Sequence, residues 1–154
     1  MSKPESVYVV YIAGTPEAVW DALTLPEFTA KYWGGVRIES EWTPGAPVRH
    51  VLPDGRAQGE GEVLIADRPR VLSYSFRRRS DTQSSGPPSQ ARFEIEPMGD
   101  VVRLRLIHQH TGPRPPLDWA AILSSLKSLL ETGRPLPFTG SALGPLAEGD
   151  RGQH

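Results

Sequence analysis

The chain has 154 residues, the size of a single domain that can bury a substantial core. Its formal net charge is −1, so bulk electrostatics draws it neither to nucleic acid nor to anionic lipid. It contains no cysteine, which excludes disulfides, thiolate metal sites and a cysteine nucleophile.

The N-terminal segment predicts a strand followed by a helix. Residues 7–12 (VYVVYI) are rich in β-branched and aromatic side chains, which is typical of a strand buried on both faces. After a break at Gly14, Thr15 supplies a capping hydroxyl and Pro16 suits the first helical position. Glu17 places an acid in the first turn, where it favours a helix. The apolar stripe of this helix consists of Val19, Trp20 and Leu23.

A second short helix is predicted directly after the first. Pro26 opens it, and the pair Gly34-Gly35 ends it. Leu25, in the capping position, offers no side-chain oxygen to the first backbone amides. The aromatic residues of this segment are Phe28, Tyr32 and Trp33.

Beyond residue 36 the apolar pattern changes to a period of two, which predicts strands. Short runs separated by turn residues such as Pro53-Asp54-Gly55 indicate an antiparallel meander. Residues 80–90 (SDTQSSGPPSQ) are predicted to form a polar loop, and the last strand is expected to be the longest. The six predicted strands are residues 36–39, 48–52, 61–66, 71–77, 91–96 and 101–110.

Residues 117–132 predict the strongest amphipathic helix of the chain, and Gly133 ends it. At ~1.5 Å per residue this helix reaches across a whole sheet. Residues 134–154 are rich in proline and glycine and are interpreted as a tail that docks Leu136 and Phe138. The helical stripe consists of Trp119, Ile122, Leu123, Leu126, Leu129 and Leu130.

These elements predict one α+β domain over residues 1–133, followed by the tail at residues 134–154. A seven-stranded antiparallel sheet and a helix with one apolar stripe can hide their apolar surfaces together when the sheet curves around the helix. The fold class is therefore expected to be a curved sheet that grips a long C-terminal helix.

Five segments occur in an order that resembles a known family: TPEAVWDALTLPEFTAKYWGG, WTPGAPVR, GEVLIADRPRVLSYSF, ARFEIEP and AAILSSLKSLLETG. They are similar to bacterial relatives of the C-terminal domain of the activator of the ninety-kilodalton heat-shock chaperone's ATPase. That family lies within the SRPBCC (START-like, birch-pollen-allergen-like) superfamily. The resemblance covers residues 6–133. Leu25 departs from it, because the family pattern usually has Asp before Pro26.

The resemblance implies a helix-grip fold with a cavity between the sheet and the C-terminal helix. It also implies a binding module for a small hydrophobic ligand, with a link to the stress response, or alternatively a co-regulator of a chaperone ATPase. Superfamily members bind lipids, sterols, polyketides and plant hormones or act as cyclases, so the resemblance carries no catalytic signature.

The inward face of the last predicted strand ends in two histidines, and a third histidine lies on the face of a neighbouring strand. They can form the polar end of a pocket, where they would orient a ligand or take a proton. They can equally be strand-end residues bonded to water or backbone. A metal site needs further ligands, and no nearby Asp or Glu shares the face with His108 and His110. The inward residues are Val102, Leu104, Leu106, His108 and His110 on the last strand, and Val48, His50 and Leu52 on the third.

Aromatic residues complete the predicted pocket, although aromatics at this spacing are also typical of a core. Tyr74 shares a strand face with Phe76 and can aim its hydroxyl into a cavity or simply pack. Trp119 begins the long helix and can close the mouth. The candidate cavity residues are Trp20, Phe28, Tyr32, Trp33, His50, Tyr74, Phe76, His108, His110, Trp119, Leu123 and Leu126.

The sequence contains no convincing catalytic motif, and no cofactor or metal is predicted. There is no G-x-S-x-G elbow. The glycines at residues 34–35 and 59–61 are interpreted as turn glycines, because neither continues into a phosphate-binding motif. A cyclase or hydrolase with His108 or His110 as base and Tyr74 as acid stays an alternative.

The N-terminus lacks the basic region and apolar run of a signal peptide, and no stretch approaches the roughly 18–20 apolar residues of a membrane span. Together with the absence of cysteine, this indicates a cytoplasmic protein. The expected partner is a small hydrophobic molecule, and a chaperone or a second copy of the chain are further candidates. Nucleic acid is not expected as a partner.

Overall fold

The computed structural model describes residues 5–78, 88–109 and 119–136. Within these ranges the elements follow the predicted order of strand, two short helices, six strands and helix. The strands are β1 (Glu5–Ala13), β2 (Arg37–Ser40), β3 (Pro47–Val51), β4 (Ala57–Asp67), β5 (Val71–Arg78), β6 (Ser89–Met98) and β7 (Val101–Gln109). The helices are α1 (Pro16–Thr24), α2 (Pro26–Tyr32) and α3 (Trp119–Thr132).

All seven strands belong to one curved antiparallel sheet in the order β1-β7-β6-β5-β4-β3-β2. Strands β2 to β7 form a meander, and β1 returns to pair with β7. This topology leaves β1 and β2 as the two edges. The helix-grip α+β fold expected from the sequence is confirmed.

The first strand is not buried on both faces, so that prediction is wrong. Ile12 is fully buried, whereas Val7, Val9 and Tyr11 are 53%, 49% and 49% exposed. Helix α3 packs against the inner side of the sheet, and alternate side chains of β1 point to the opposite side. The run of β-branched and aromatic residues specified a strand, but it did not specify which of its faces would be covered.

Strand β4 is longer than predicted and, at 11 residues, exceeds the nine of β7, which was expected to be the longest. Gly59 and Gly61 lie inside it, so their assignment to a turn is also wrong. A Cβ added to Gly59 would collide with the Phe76 ring, and one added to Gly61 would collide with the Ser75 carbonyl oxygen. Glycine therefore permits the close approach of β5 at these positions.

The two short helices begin as the sequence predicts. Thr15 Oγ1 accepts a hydrogen bond from the Ala18 amide at 3.2 Å, which caps α1. Leu25 precedes α2 without a side-chain capping bond. Gly34 and Gly35 follow α2 with φ values of 64° and 87°, a region that side chains rarely adopt.

Helix α3 buries its apolar stripe against the inner face of the sheet. The residues after it turn back, because the Leu136 amide donates a hydrogen bond to Ser125 Oγ at 3.1 Å. The predicted docking of Phe138 and the first two predicted helical residues, 117 and 118, lie outside the described ranges. None of the described helices is long and apolar enough to cross a bilayer. The buried residues of the stripe are Trp119, Ile122, Leu123, Leu126 and Leu129.

Candidate functional site

The inner face of the sheet and the first turn of α3 enclose a cluster of rings, which we call the aromatic cage. It assembles from six parts of the chain, and each member is at most 7% exposed. Its members are Trp33 after α2, His50 on β3, Tyr74 and Phe76 on β5, Phe93 on β6, His108 on β7 and Trp119 on α3.

Trp119 forms the wall of the cage on α3. Its ring centroid is 5.2 Å from that of Trp33, 5.4 Å from that of His108 and 6.1 Å from that of Phe93. The first and third of these contacts are edge-on, a favourable arrangement for aromatic pairs. A single side chain of α3 therefore joins α2 to the central strands.

His50 occupies the opposite wall. Its ring centroid lies 4.0 Å from that of Phe76, 5.4 Å from that of Trp33 and 6.1 Å from that of Tyr74. The imidazole is thus surrounded by aromatic carbon on three sides.

Strand register places a small residue in the middle of the cage. Ala91 on β6 pairs with Tyr74 on one side and with His108 on the other. On the neighbouring strands, His50 pairs with Gly59. The Phe76 ring fills the space beside Gly59, but only a methyl group stands between Tyr74 and His108, so a gap remains at Ala91.

The gap is a cavity of about 10 Å³, close to the minimum that holds one water molecule. Pockets for drug-sized ligands typically measure roughly 300–1,000 Å³. The ligand-sized space implied by the resemblance is therefore not open within the described residues, and side chains fill most of it. The residues that line the cavity are His50, Tyr74, Phe76, Ser89, Ala91, His108 and Trp119.

Four buried nitrogen atoms of the cage find no hydrogen-bond partner among the described residues. They are both ring nitrogens of His50 and the indole nitrogens of Trp33 and Trp119. An unsatisfied buried donor or acceptor costs about 1–3 kcal/mol, and native proteins keep few of them. Such groups can bind a water molecule or a ligand, and they are the most unusual chemical feature of the cage.

Burial holds the His50 imidazole and the Tyr74 hydroxyl in their neutral forms. It lowers the pKa of His50 to about 3 and raises the pKa of Tyr74. Burial, and then the neighbouring Tyr74, also raise the pKa of Tyr32. A general acid or base works best with a pKa near the operating pH. These shifts move the pKa values of His50 and Tyr74 further from pH 7, so both groups stay uncharged. The arrangement therefore suits the binding of an uncharged molecule better than proton transfer.

Half of the twelve candidate residues meet in the cage. His50, Tyr74, Phe76, His108 and Trp119 line the cavity itself, and Trp33 reaches it through its ring contacts with His50 and Trp119. His110 lies outside the described residues.

The remaining candidates are placed elsewhere in the core. Trp20, Leu123 and Leu126 are buried in it and do not line the cavity. The Tyr32 hydroxyl donates to the Ala22 carbonyl at 2.7 Å, which ties α2 to α1. Phe28 is half-buried, and the Lys31 ammonium lies 5.5 Å from its ring centroid.

Three residues of the site were not identified from the sequence. Ala91 and Phe93 lie on the inward face of β6, and the alternation that predicted this strand was the available signal. Ser89 was assigned to the polar loop, whereas it begins β6 together with Gln90. Within the described residues no group of three or more potential metal ligands comes together.

The family model for activator of Hsp90 ATPase homolog 1-like proteins matches residues 13–131. The chain belongs to this family. The match contains both short helices, the six strands of the meander and nearly all of α3, and with them every described residue of the aromatic cage. No curated protein sequence matches the chain.

Several solved structures share the fold at low sequence identity. The Aha1 dimer from Colwellia psychrerythraea is 20% identical, with a TM-score of 0.68 over 84% of this chain and 98% of that one. An Hsp90 activator from Plasmodium falciparum is 16% identical, with a TM-score of 0.60 over 71% of this chain and 75% of that one.

A third structure, CalU16 from Micromonospora echinospora, is 18% identical, with a TM-score of 0.57. The alignment covers 71% of this chain and 62% of the CalU16 crystal structure, so it spans less than two thirds of that protein. At these identities the three structures support the fold of the chain and nothing finer.

Proposed function

We propose that this protein is a binding module whose aromatic cage holds a small, uncharged, hydrophobic molecule with one polar group. The observation that carries the proposal is the set of four buried nitrogens without partners in an otherwise apolar cage. An indole nitrogen only donates, whereas a neutral imidazole has one donor and one acceptor. A hydroxyl group on a ring compound can accept from Trp119 and exchange a hydrogen bond with His50.

The ligand is expected to be flat and aromatic, because its neighbours would be the rings of the cage. Offset and edge-to-face contacts with such rings favour another ring over a flexible chain. The cavity of about 10 Å³ cannot admit it unless a wall moves. Trp119 is the wall residue on α3 rather than on the sheet, so its indole is the group that we expect a ligand to displace.

Thermal unfolding with 2-naphthol, a fused-ring phenol, tests this proposal, and decanoate serves as a chain-like comparison. We expect 2-naphthol to raise the melting temperature in a concentration-dependent manner, because a ligand that binds only the folded state stabilises it. Decanoate should have a smaller effect. A melting temperature unchanged by 2-naphthol up to its solubility limit would contradict the proposal.

Trp119→Ala should open the same site to the ligand, because no indole then has to be displaced. Removal of the indole leaves a cavity beside His50 and His108, so the variant should bind 2-naphthol more tightly than the wild type although it is less stable. Leu129→Ala is the matched control, because Leu129 is also buried on α3 but does not line the cavity. Equal affinities of the two variants for 2-naphthol would show that the probe does not enter the cage.

A second candidate function is co-regulation of a chaperone ATPase. Membership of the family supports it, and so does the fold shared with the Plasmodium Hsp90 activator. The test is the ATPase rate of a purified Hsp90 with increasing amounts of this protein. A saturable increase in rate would support this function, and an unchanged rate at saturating concentration would remove it. A cytoplasmic location and a role in the stress response belong to the same proposal.

A further inference from the structure

The outer face of the sheet, opposite α3, carries a second pocket, which we call the outer pocket. It measures about 200 Å³ and shares no lining residue with the aromatic cage. A cavity of roughly 150 Å³ holds a benzene molecule, so this space suits one ring with a short substituent. The outer pocket is lined by Leu64, Ile65, Ser73, Gln90, Arg92, Ile107 and Gln109.

The register of four strands brings one row of side chains across the outer pocket. Ser73 on β5 pairs with Ile65 on β4 and with Arg92 on β6. Arg92 in turn pairs with Ile107 on β7. Three strand spacings of ~4.8 Å make this row roughly 14 Å long. Because serine has the smallest side chain of the row, a depression forms at its position.

A β-bulge supplies one apolar wall. Val63 pairs with Tyr74 and Ile65 pairs with Ser73, so Leu64 is an extra residue on β4. A bulge re-aims the side chains beside it. Leu64 and Ile65 are accordingly both exposed and both line the outer pocket, although neighbours in a regular strand point to opposite faces. Ile107 provides the apolar wall at the other end.

The described lining contains one cation, Arg92, and no acidic residue. Arg92 Nε donates to Glu94 Oε2 at 2.8 Å, and Arg105 Nε lies 3.6 Å from Glu94 Oε1. One carboxylate thus faces two guanidinium groups, which leaves a net positive charge beside the pocket. The bond to Glu94 uses only Nε of Arg92. Its two terminal nitrogens make no hydrogen bond to another described residue, so they are available to an anion.

Two uncharged side chains beside Arg92 can donate to the same anion. Gln90 lies two residues before Arg92 on the same face of β6, and Ser73 is its partner on β5. Neither side chain is hydrogen-bonded to another described residue. Gln109 differs, because its amide nitrogen donates to Glu5 at 3.1 Å. A carboxylate has about four acceptor sites, enough for a guanidinium, a hydroxyl and an amide together.

We propose that the outer pocket binds a small aromatic carboxylate. The carboxylate accepts from the terminal nitrogens of Arg92, in the paired geometry that guanidinium groups favour, and from Ser73 and Gln90. The ring lies against the apolar walls. An amine would meet a cation and no anion, so charge selects an acid. This site goes beyond the proposed function of the cage and does not depend on it.

Phenylacetate and phenylacetamide test the proposal, because they have the same shape and differ in charge. In ¹H–¹⁵N NMR titrations, phenylacetate should shift the side-chain amide signals of Gln90 and Gln109. The signal of Gln58, which is on β4 and outside the pocket, should not shift. At low salt phenylacetamide should bind roughly fivefold more weakly, the most that an exposed ion pair usually contributes. Equal affinities, or phenylacetate shifts confined to the indole signals of the cage, would overturn the proposal.

Two variants separate the charge of the outer pocket from its space. Arg92→Gln should abolish the preference for phenylacetate over phenylacetamide. Arg103→Gln is the matched control and should keep it, because Arg103 is on the same face, is paired with Glu96 and does not line the pocket. Ser73→Val fills the depression and should weaken binding of both compounds.

Circular dichroism establishes that each variant is folded. An unchanged preference in Arg92→Gln, or unchanged binding in Ser73→Val, would refute the site. Titrations at two protein concentrations test a competing occupant. Binding of phenylacetate that weakens as the protein concentration rises would show that a second copy of the chain occupies the outer pocket, and this too would overturn the proposal.

Discussion

Replacement of His50 by phenylalanine should change how the stability of the protein depends on pH. His50 is 1% exposed, its ring lies 4.0 Å from that of Phe76, and neither ring nitrogen has a described hydrogen-bond partner. Burial lowers its pKa from the ordinary 6.5 to about 3. Phenylalanine keeps a ring at this position and cannot take up a proton.

The size and sign of the effect follow from the two pKa values of His50. Below pH 6.5 the unfolded chain protonates this side chain and the folded chain does not, so the free energy of unfolding falls as the pH drops towards 3. Between pH 7.5 and pH 5 this loss amounts to about 2 kcal/mol. Above pH 6.5 the imidazole is neutral in both states and contributes no pH dependence.

Urea unfolding of the wild type and of His50→Phe at pH 7.5 and pH 5 measures this difference. The wild type should lose about 2 kcal/mol more than the variant on acidification. The other titrating groups are common to both chains, so they cancel in the comparison. At pH 7.5 the variant should be at least as stable as the wild type, because two unsatisfied nitrogens are gone. Equal losses in the two chains would refute a buried, neutral imidazole.

Three further predictions concern the scaffold, each checked by urea unfolding. Thr15→Ala removes the cap that accepts from the Ala18 amide and should cost about 1 kcal/mol; unchanged stability would show that the cap is dispensable. Gly61→Ala should cost ~3 kcal/mol or more, because its methyl group collides with a β5 carbonyl; a smaller cost would mean that β4 and β5 separate easily. Tyr32→Phe leaves the buried Ala22 carbonyl without this donor and should cost about 1 kcal/mol, whereas a neutral effect would indicate hydration there.

The order of the elements could be predicted because each carries a local signal. Thr15-Pro16 starts α1, glycines end α2, and alternation marks the strands. The exposure of Val9 and the position of Gly59 inside β4 could not be predicted in this way. Exposure of a strand face depends on which side α3 covers, and a glycine that permits close approach of strands has the same sequence signature as a turn glycine.

Half of the candidate residues meet in the cage, and for residues such as His108 and Tyr74 this could be predicted because period-two alternation assigns them to the inward face. The size of the cavity could not be predicted from the sequence. It depends on the strand register, which places Ala91 of β6 between Tyr74 of β5 and His108 of β7. Likewise, alternation along β3 predicts that His50 faces inward, but it does not reveal that both ring nitrogens lack partners. That property depends on contacts between residues distant in the sequence.

The indole N–H signals of the four tryptophans provide the most direct test of the central claim, that the cage binds a ligand through its unpaired nitrogens. In a 2-naphthol titration followed by ¹H–¹⁵N NMR, the signals of Trp33 and Trp119 should shift as these groups enter the ligand environment. Trp42 is the internal control, because its indole already donates to the Thr24 carbonyl at 2.9 Å and should not shift. Shifts confined to Trp42, or no shift of the Trp33 and Trp119 signals at any naphthol concentration, would contradict the account.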